Sequence, residues 1–140
     1  YFLLELFPGW VIPFSNTIGY FIVNALGATT QVKKILKLSG NENNSTLQKA
    51  LLNIEKNYSR FINEIDSEKP LYEKFIKQLH KENFMQKPST NSGEEIHNDR
   101  DVINLFALVN IKHLIGKIFW YILAGTLIAS VSYNFIINIV

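Results

Sequence analysis

Few side chains in this 140-residue sequence are of a type and spacing that could do chemistry. The three histidines, His80, His97 and His113, are scattered. His97 lies beside Glu94 and Glu95, the nearest approach to a metal-ligand cluster, but it has no second ligand pair at conforming spacing, and its surroundings read as a polar surface loop. Cysteine is absent, which excludes thiolate metal sites, thiol nucleophiles and a disulfide framework. No glycine-rich phosphate loop follows a strand pattern, and no serine sits in a nucleophile elbow. Glu55, Glu64, Asp66, Glu68 and Glu73 alternate with lysines in the manner of solvated helix faces. The expectation is a non-enzyme with no metal, no cofactor and no small-molecule substrate. Only two arginines are present, and the formal net charge is +2, so nothing points to nucleic acid.

The remaining polar candidates sit inside apolar stretches. Glu5 is a lone acid that could relay protons, although its nearness to Pro8-Gly9 favours headgroup depth. Asn134 and Asn138, four apart, share a helix face and would bond a neighbouring helix or sit at an interface. Gly125, Ala129 and Ser132 form a small-residue stripe on which another helix can pack closely. What must position all of these is a membrane helix. Residues 118–140 carry no charged side chain over twenty-three positions. As a helix they would reach about 34 Å, enough for a hydrocarbon core of about 30 Å. Lys112, His113 and Lys117 precede the run, and Trp120 and Tyr121 open it, the order of basic flank, aromatic belt and apolar chain expected at a bilayer surface.

All fourteen basic residues lie between Lys33 and Lys117 together with eleven of the twelve acids, an excess of three positive charges. The chain therefore divides into an apolar membrane or interfacial segment (1–37), a polar helical hairpin with a flexible linker (38–97), and an apolar helix leading into a transmembrane helix (98–140). In the first part, Tyr1 to Phe7 reads as the end of a span in a longer polypeptide. Pro8-Gly9 reads as a turn, and a helix is predicted from Ser15 or Asn16 through Leu26 to Leu36, with Trp10 and Tyr20 at headgroup depth. In the second, Ser45 and Gln48 form a capping box. The helix they open shows Leu47, Leu51, Ile54, Tyr58, Phe61, Ile62 and Ile65 at helical spacing. Pro70 begins the next helix, whose face carries Leu71, Phe75 and Leu79. The stripe of Leu51, Ile54, Tyr58, Phe61, Phe75 and Leu79 is the predicted partner-contact surface. In the third, residues 102–115 could cover that stripe or lie on the membrane, and Gly116 permits either a bend or a continuous helix.

The order Leu6-Phe7-Pro8-Gly9-Trp10-Val11-Ile12-Pro13-Phe14-Ser15-Asn16-Thr17-Ile18-Gly19-Tyr20 resembles a segment of the membrane-spanning minor capsid proteins of large icosahedral double-stranded DNA viruses. The resemblance covers about fifteen of the 140 residues. It implies an anchor in an internal viral membrane whose exposed helices contact the capsid shell, and it implies no catalytic residue. The combined expectation is an all-α integral membrane protein that ties a lipid bilayer to the other proteins of a large assembly. The alternative is an accessory subunit of an energy-converting complex in the mitochondrial inner membrane; a channel or transporter component ranks third. On this reading, deleting residues 47–86 releases the assembly and spares membrane insertion.

Overall fold

The structure is a computed structural model that describes residues 9–36, 45–82, 84–85 and 100–139. Six helices account for nearly all of them, and among the described residues there is no strand. The linker around His97, the polar loop before Ser45, and Glu5 lie outside the described residues.

Helix α1 (Val11–Ala25) starts four residues earlier than the sequence suggests. Pro13 falls within its first turn, where backbone N–H groups have no intrahelical acceptor and a missing donor costs nothing. The helix is α-helical to Phe14, widens to a π-turn over Ser15–Gly19, and resumes at Tyr20. The Thr17 hydroxyl donates to the Pro13 carbonyl at 2.7 Å. At Gly27 the chain takes φ +96° and turns by 79° into α2 (Ala28–Ile35), so the predicted straight run from Ser15 to Leu36 is two helices. The Gly27 N–H donates to the Asn24 carbonyl at 3.0 Å, and the Thr29 hydroxyl to Asn24 Oδ1 at 2.6 Å, which ties the corner together.

The central helix is also divided. Helix α3 (Ser45–Lys56) ends before Asn57, and α4 (Tyr58–Glu64) begins after it. Asn57 Oδ1 accepts from the Arg60 N–H at 3.1 Å and from the Ser59 hydroxyl at 2.7 Å, a side-chain cap that competes with helix continuation. Helix α5 (Lys69–Lys81) has Pro70 in its first turn, as expected. After α5, Met85 forms a single antiparallel bridge with Leu36. Helix α6 (Arg100–Ile139) is one unbroken helix of forty residues, about 60 Å long.

Val102, Leu105 and Val109 of α6 are buried in one core with Val32 of α2, Leu51 of α3, Ile62 of α4 and Ile76 of α5. Helix α5 is joined through large side chains. The Tyr72 ring lies 4.7 Å from Phe106 while its hydroxyl donates to the Val102 carbonyl at 2.7 Å, and Phe61 and Phe75 stack at 5.7 Å. The stripe assigned to a partner is thus turned inward. Leu51 and Leu79 are buried, and Ile54, Tyr58, Phe61 and Phe75 pack half-buried against the same core. The sequence identified a face that needs covering, and the chain covers it with its own helices.

Gly27 tests the corner. A Cβ there meets nothing within 4 Å, so its whole cost is the left-handed backbone. Gly27→Ala is expected to destabilise the body by about 1–2 kcal/mol, measured by denaturant unfolding, with an unchanged helical spectrum in the native baseline.

Candidate functional site

Helix α1 lies antiparallel along α6 between Lys112 and Trp120, and glycines set the separation. A Cβ on Gly116 would stand 2.5 Å from the Val11 carbonyl oxygen and 2.7 Å from the Ser15 nitrogen. One on Gly19 would stand 2.5 Å from the Lys112 carbonyl oxygen, and one on Gly9 would stand 2.7 Å from the Trp120 ring. Gly116 is therefore a packing position within a continuous helix and makes no bend.

This contact brings aromatic residues of two distant sequence segments to one level. Trp10 lies 6.4 Å from Phe14, Phe14 lies 6.2 Å from Phe119, and Trp120 covers Gly9. Of the predicted anchors, Trp10, Trp120 and Tyr121 fall at or beside this collar, and exposed Lys117 lies just before it on α6. Tyr20 does not join them. It is ten residues along α1 from Trp10, about 15 Å at helical rise, and packs against the core.

Lys112 belongs to the basic flank in the sequence, yet it is only 4 % exposed. It continues the buried line Val102, Leu105, Val109, Lys112 and Gly116, whose spacing was the available signal. Its Nζ donates to Ser15 Oγ at 3.1 Å and to Asn16 Oδ1 at 2.8 Å. The Asn16 carbonyl in turn accepts from Asn63 Nδ2 at 3.1 Å, which links α6, α1 and α4. Burial lowers the Lys112 ammonium from its usual 10.5 to about 8. His113 is lowered too, by burial and then by the Lys117 and Lys112 cations, with Asp66 acting in the opposite sense. Both residues precede the charge-free stretch. Beside them opens a cleft of about 160 Å³, lined from Ile12 through Ser15 and Asn16 to Asn63 and Asp66.

Ala124, four residues beyond Trp120, is still buried, and from Gly125 onward the described residues of α6 are exposed. Gly125, Ala129, Ser132, Asn134 and Asn138 are exposed, and none of the other described residues lies within 4 Å of a Cβ placed on Gly125. The Thr126 hydroxyl is satisfied within the helix by the Ile122 carbonyl at 2.8 Å. Among the described residues no three His, Asp or Glu converge as a metal-ligand set. No protein-family model, curated protein or solved structure matches the chain.

Two tests separate the roles of these residues. Gly116→Val is expected to force α1 from α6 and cost about 3 kcal/mol, with a shift in Trp10 and Trp120 fluorescence; Gly125→Val should leave both unchanged. The second follows from linkage. Unfolded chain holds the lysine proton to about pH 10.5 and folded chain releases it near 8. The folded state therefore binds fewer protons between these limits, and stability rises with pH across them. From pH 7.5 to 9.5 the rise should be on the order of 2 kcal/mol. Lys112→Met should abolish it in melts followed by near-ultraviolet circular dichroism.

Proposed function

We propose that this protein is a membrane-anchored structural component, whose helical body holds part of a larger protein assembly against a lipid bilayer. The observation that carries the reading is the bare apolar rod of α6. Its described charge-free part, 118–139, is about 33 Å long at helical rise. It exposes twelve large apolar side chains, among them Ile122 at 61 %, Val131 at 67 %, Phe135 at 66 % and Ile139 at 68 %. Leaving them in water would cost on the order of 10–20 kcal/mol, as much as the whole stability of a typical domain. A hydrocarbon layer removes that cost. The aromatic collar and Lys117 sit at the start of the rod, as residues do where a helix enters the interface.

On this reading the helical body stands outside the hydrocarbon. Lys49, Lys56, Lys69, Lys74, Lys77 and Lys81 are exposed on its surface. Partner contacts belong to this outer face, because the apolar stripe is occupied by the chain's own core. Deleting residues 47–86 would remove Leu51, Ile62 and Ile76 from that core. Such a deletion would unfold the body and report on nothing else. The resemblance of residues 6–20 makes a capsid shell around an internal viral membrane our choice of assembly.

The anchor is tested by alkaline extraction of vesicles carrying the full chain. The native chain should remain with the lipid, and Leu127→Arg with Ile128→Arg should release it, since each buried cation costs about 3 kcal/mol at a helix centre. Recovery of the native chain in the supernatant would sink the reading. Lysine cross-linking of gently purified native material then identifies the assembly. Links to shell proteins are expected, whereas links to respiratory or ATP-synthase subunits would replace the viral assignment with an organellar one.

A further inference from the structure

The cleft beside Lys112 presents two unmet polar demands. Asn63 Nδ2 donates to the Asn16 carbonyl, which can only accept, so the orientation of the amide is fixed. Its Oδ1 is buried and has no hydrogen-bond donor. Lys112 Nζ has three N–H donors and uses two of them, on Ser15 and Asn16. The same cleft is lined by Asp66 and by Glu64, whose carboxylate is shared with Arg60 at 3.1 Å. The lining thus offers a cationic donor together with a bare carbonyl oxygen and carboxylates. A simple anion would satisfy the first and be repelled by the others. A simple cation would meet Lys112. An occupant with an anionic oxygen at one end and N–H donors at the other satisfies both.

The location narrows the choice. Lys112 precedes the charge-free rod by six residues, about 9 Å along the helix. That places it in the polar layer that adds several Å to each side of a hydrocarbon core. Ile12, which lines the cleft, is 64 % exposed and lies midway in sequence between Trp10 and Phe14 of the collar. We propose that the cleft binds the headgroup of an aminoethyl phosphodiester lipid. A phosphate oxygen accepts from Lys112 Nζ, and the primary ammonium donates to Asn63 Oδ1 and Asp66. Choline lipids are disfavoured because a quaternary ammonium has no N–H to give the Asn63 carbonyl. The inference rests on the membrane-anchor reading and adds to it a defined lipid.

The test is native mass spectrometry of the full chain in mixed micelles holding equal amounts of phosphatidylethanolamine, phosphatidylcholine and phosphatidylglycerol with identical acyl chains. Retention of the ethanolamine lipid at five-fold or more over the other two is expected. Asn63→Leu and Asp66→Asn should each reduce that preference at least three-fold. Asp66 is exposed, so its variant keeps the fold even if Asn63→Leu does not. Equal retention of the three lipids, as for a cleft holding only water, overturns the proposal; so does a preference that survives Asp66→Asn. Soluble aminoethyl phosphate binding as tightly as the lipid would overturn the lipid assignment. Alkaline extraction run in parallel separates the two readings. A chain that does not stay with vesicles removes both, whereas a chain that inserts without headgroup preference removes this one alone.

Discussion

The approach of α1 to α6 is limited by what Gly19 and Gly116 lack. With carbonyl oxygens 2.5 Å from where their Cβ atoms would be, the two backbones are about as close as helices can come. Everything on the side of the body nearest the exposed apolar stretch of α6 depends on that separation. It seats Ser15 and Asn16 on Lys112, draws Phe14 onto Phe119, and lays Gly9 under Trp120. The π-turn over Ser15–Gly19 falls in the same contact, as such single turns tend to do at functional sites. A buried cation is costly unless it is hydrogen-bonded, and the partners that reduce this cost for Lys112 come from α1 alone. The close packing and the buried lysine therefore stand or fall together.

On the far side of the body the constraint is different. Helices α3, α4 and α5 each offer one apolar face, too little to form a closed core among themselves. The first part of α6 supplies the missing surface with Val102, Leu105 and Val109, and α2 adds Ala28, Val32 and Ile35. The turn at Gly27 makes this possible. Without the 79° change of direction, α2 would continue along α6 and leave the hairpin uncovered. Tyr72 then closes the top by bonding the backbone of α6 at Val102, and desolvation raises its hydroxyl well above the usual range.

The helical character of the chain was legible because apolar spacing is a local property. Leu47, Leu51 and Leu79 declared their faces and Pro70 marked its helix start, but Leu71, on the same line as Phe75 and Leu79, is exposed, and Tyr72 and Ile76 take the buried line. The breaks were less legible. Apolar periodicity runs straight through Asn57, and only the bond from Arg60 N–H to its side chain reveals that a cap interrupts the helix there. Gly27 sits in an uncharged run that reads as helix until tertiary packing requires a corner. Pattern also shows that a face is covered without showing by what, which is why the stripe of Leu51 and Leu79 could be assigned to a partner. Lys112 was masked by its neighbours. Beside His113 and Lys117 it reads as a basic flank, and only its register with Leu105 and Val109 places it inside.

The continuity of α6 gives the architecture its mechanical meaning. A bend at Gly116 would have left the body swinging on the rod. Instead the face that carries Val102, Leu105 and Val109 in the core runs in one helix into the exposed apolar stretch. The body cannot rotate relative to the rod without unfolding the first turns of α6. In the proposed anchor the direction of the rod therefore fixes the direction of the body, and Trp10 and Ile12 are held on the side from which lipid would approach. A tether built this way resists tilt as well as detachment, because tilting would either pull the collar from its depth or push Lys117 towards hydrocarbon. For the component proposed, one that holds a bilayer at a set distance from an ordered protein layer, rigid registry of body and rod is a more useful property than affinity for either one.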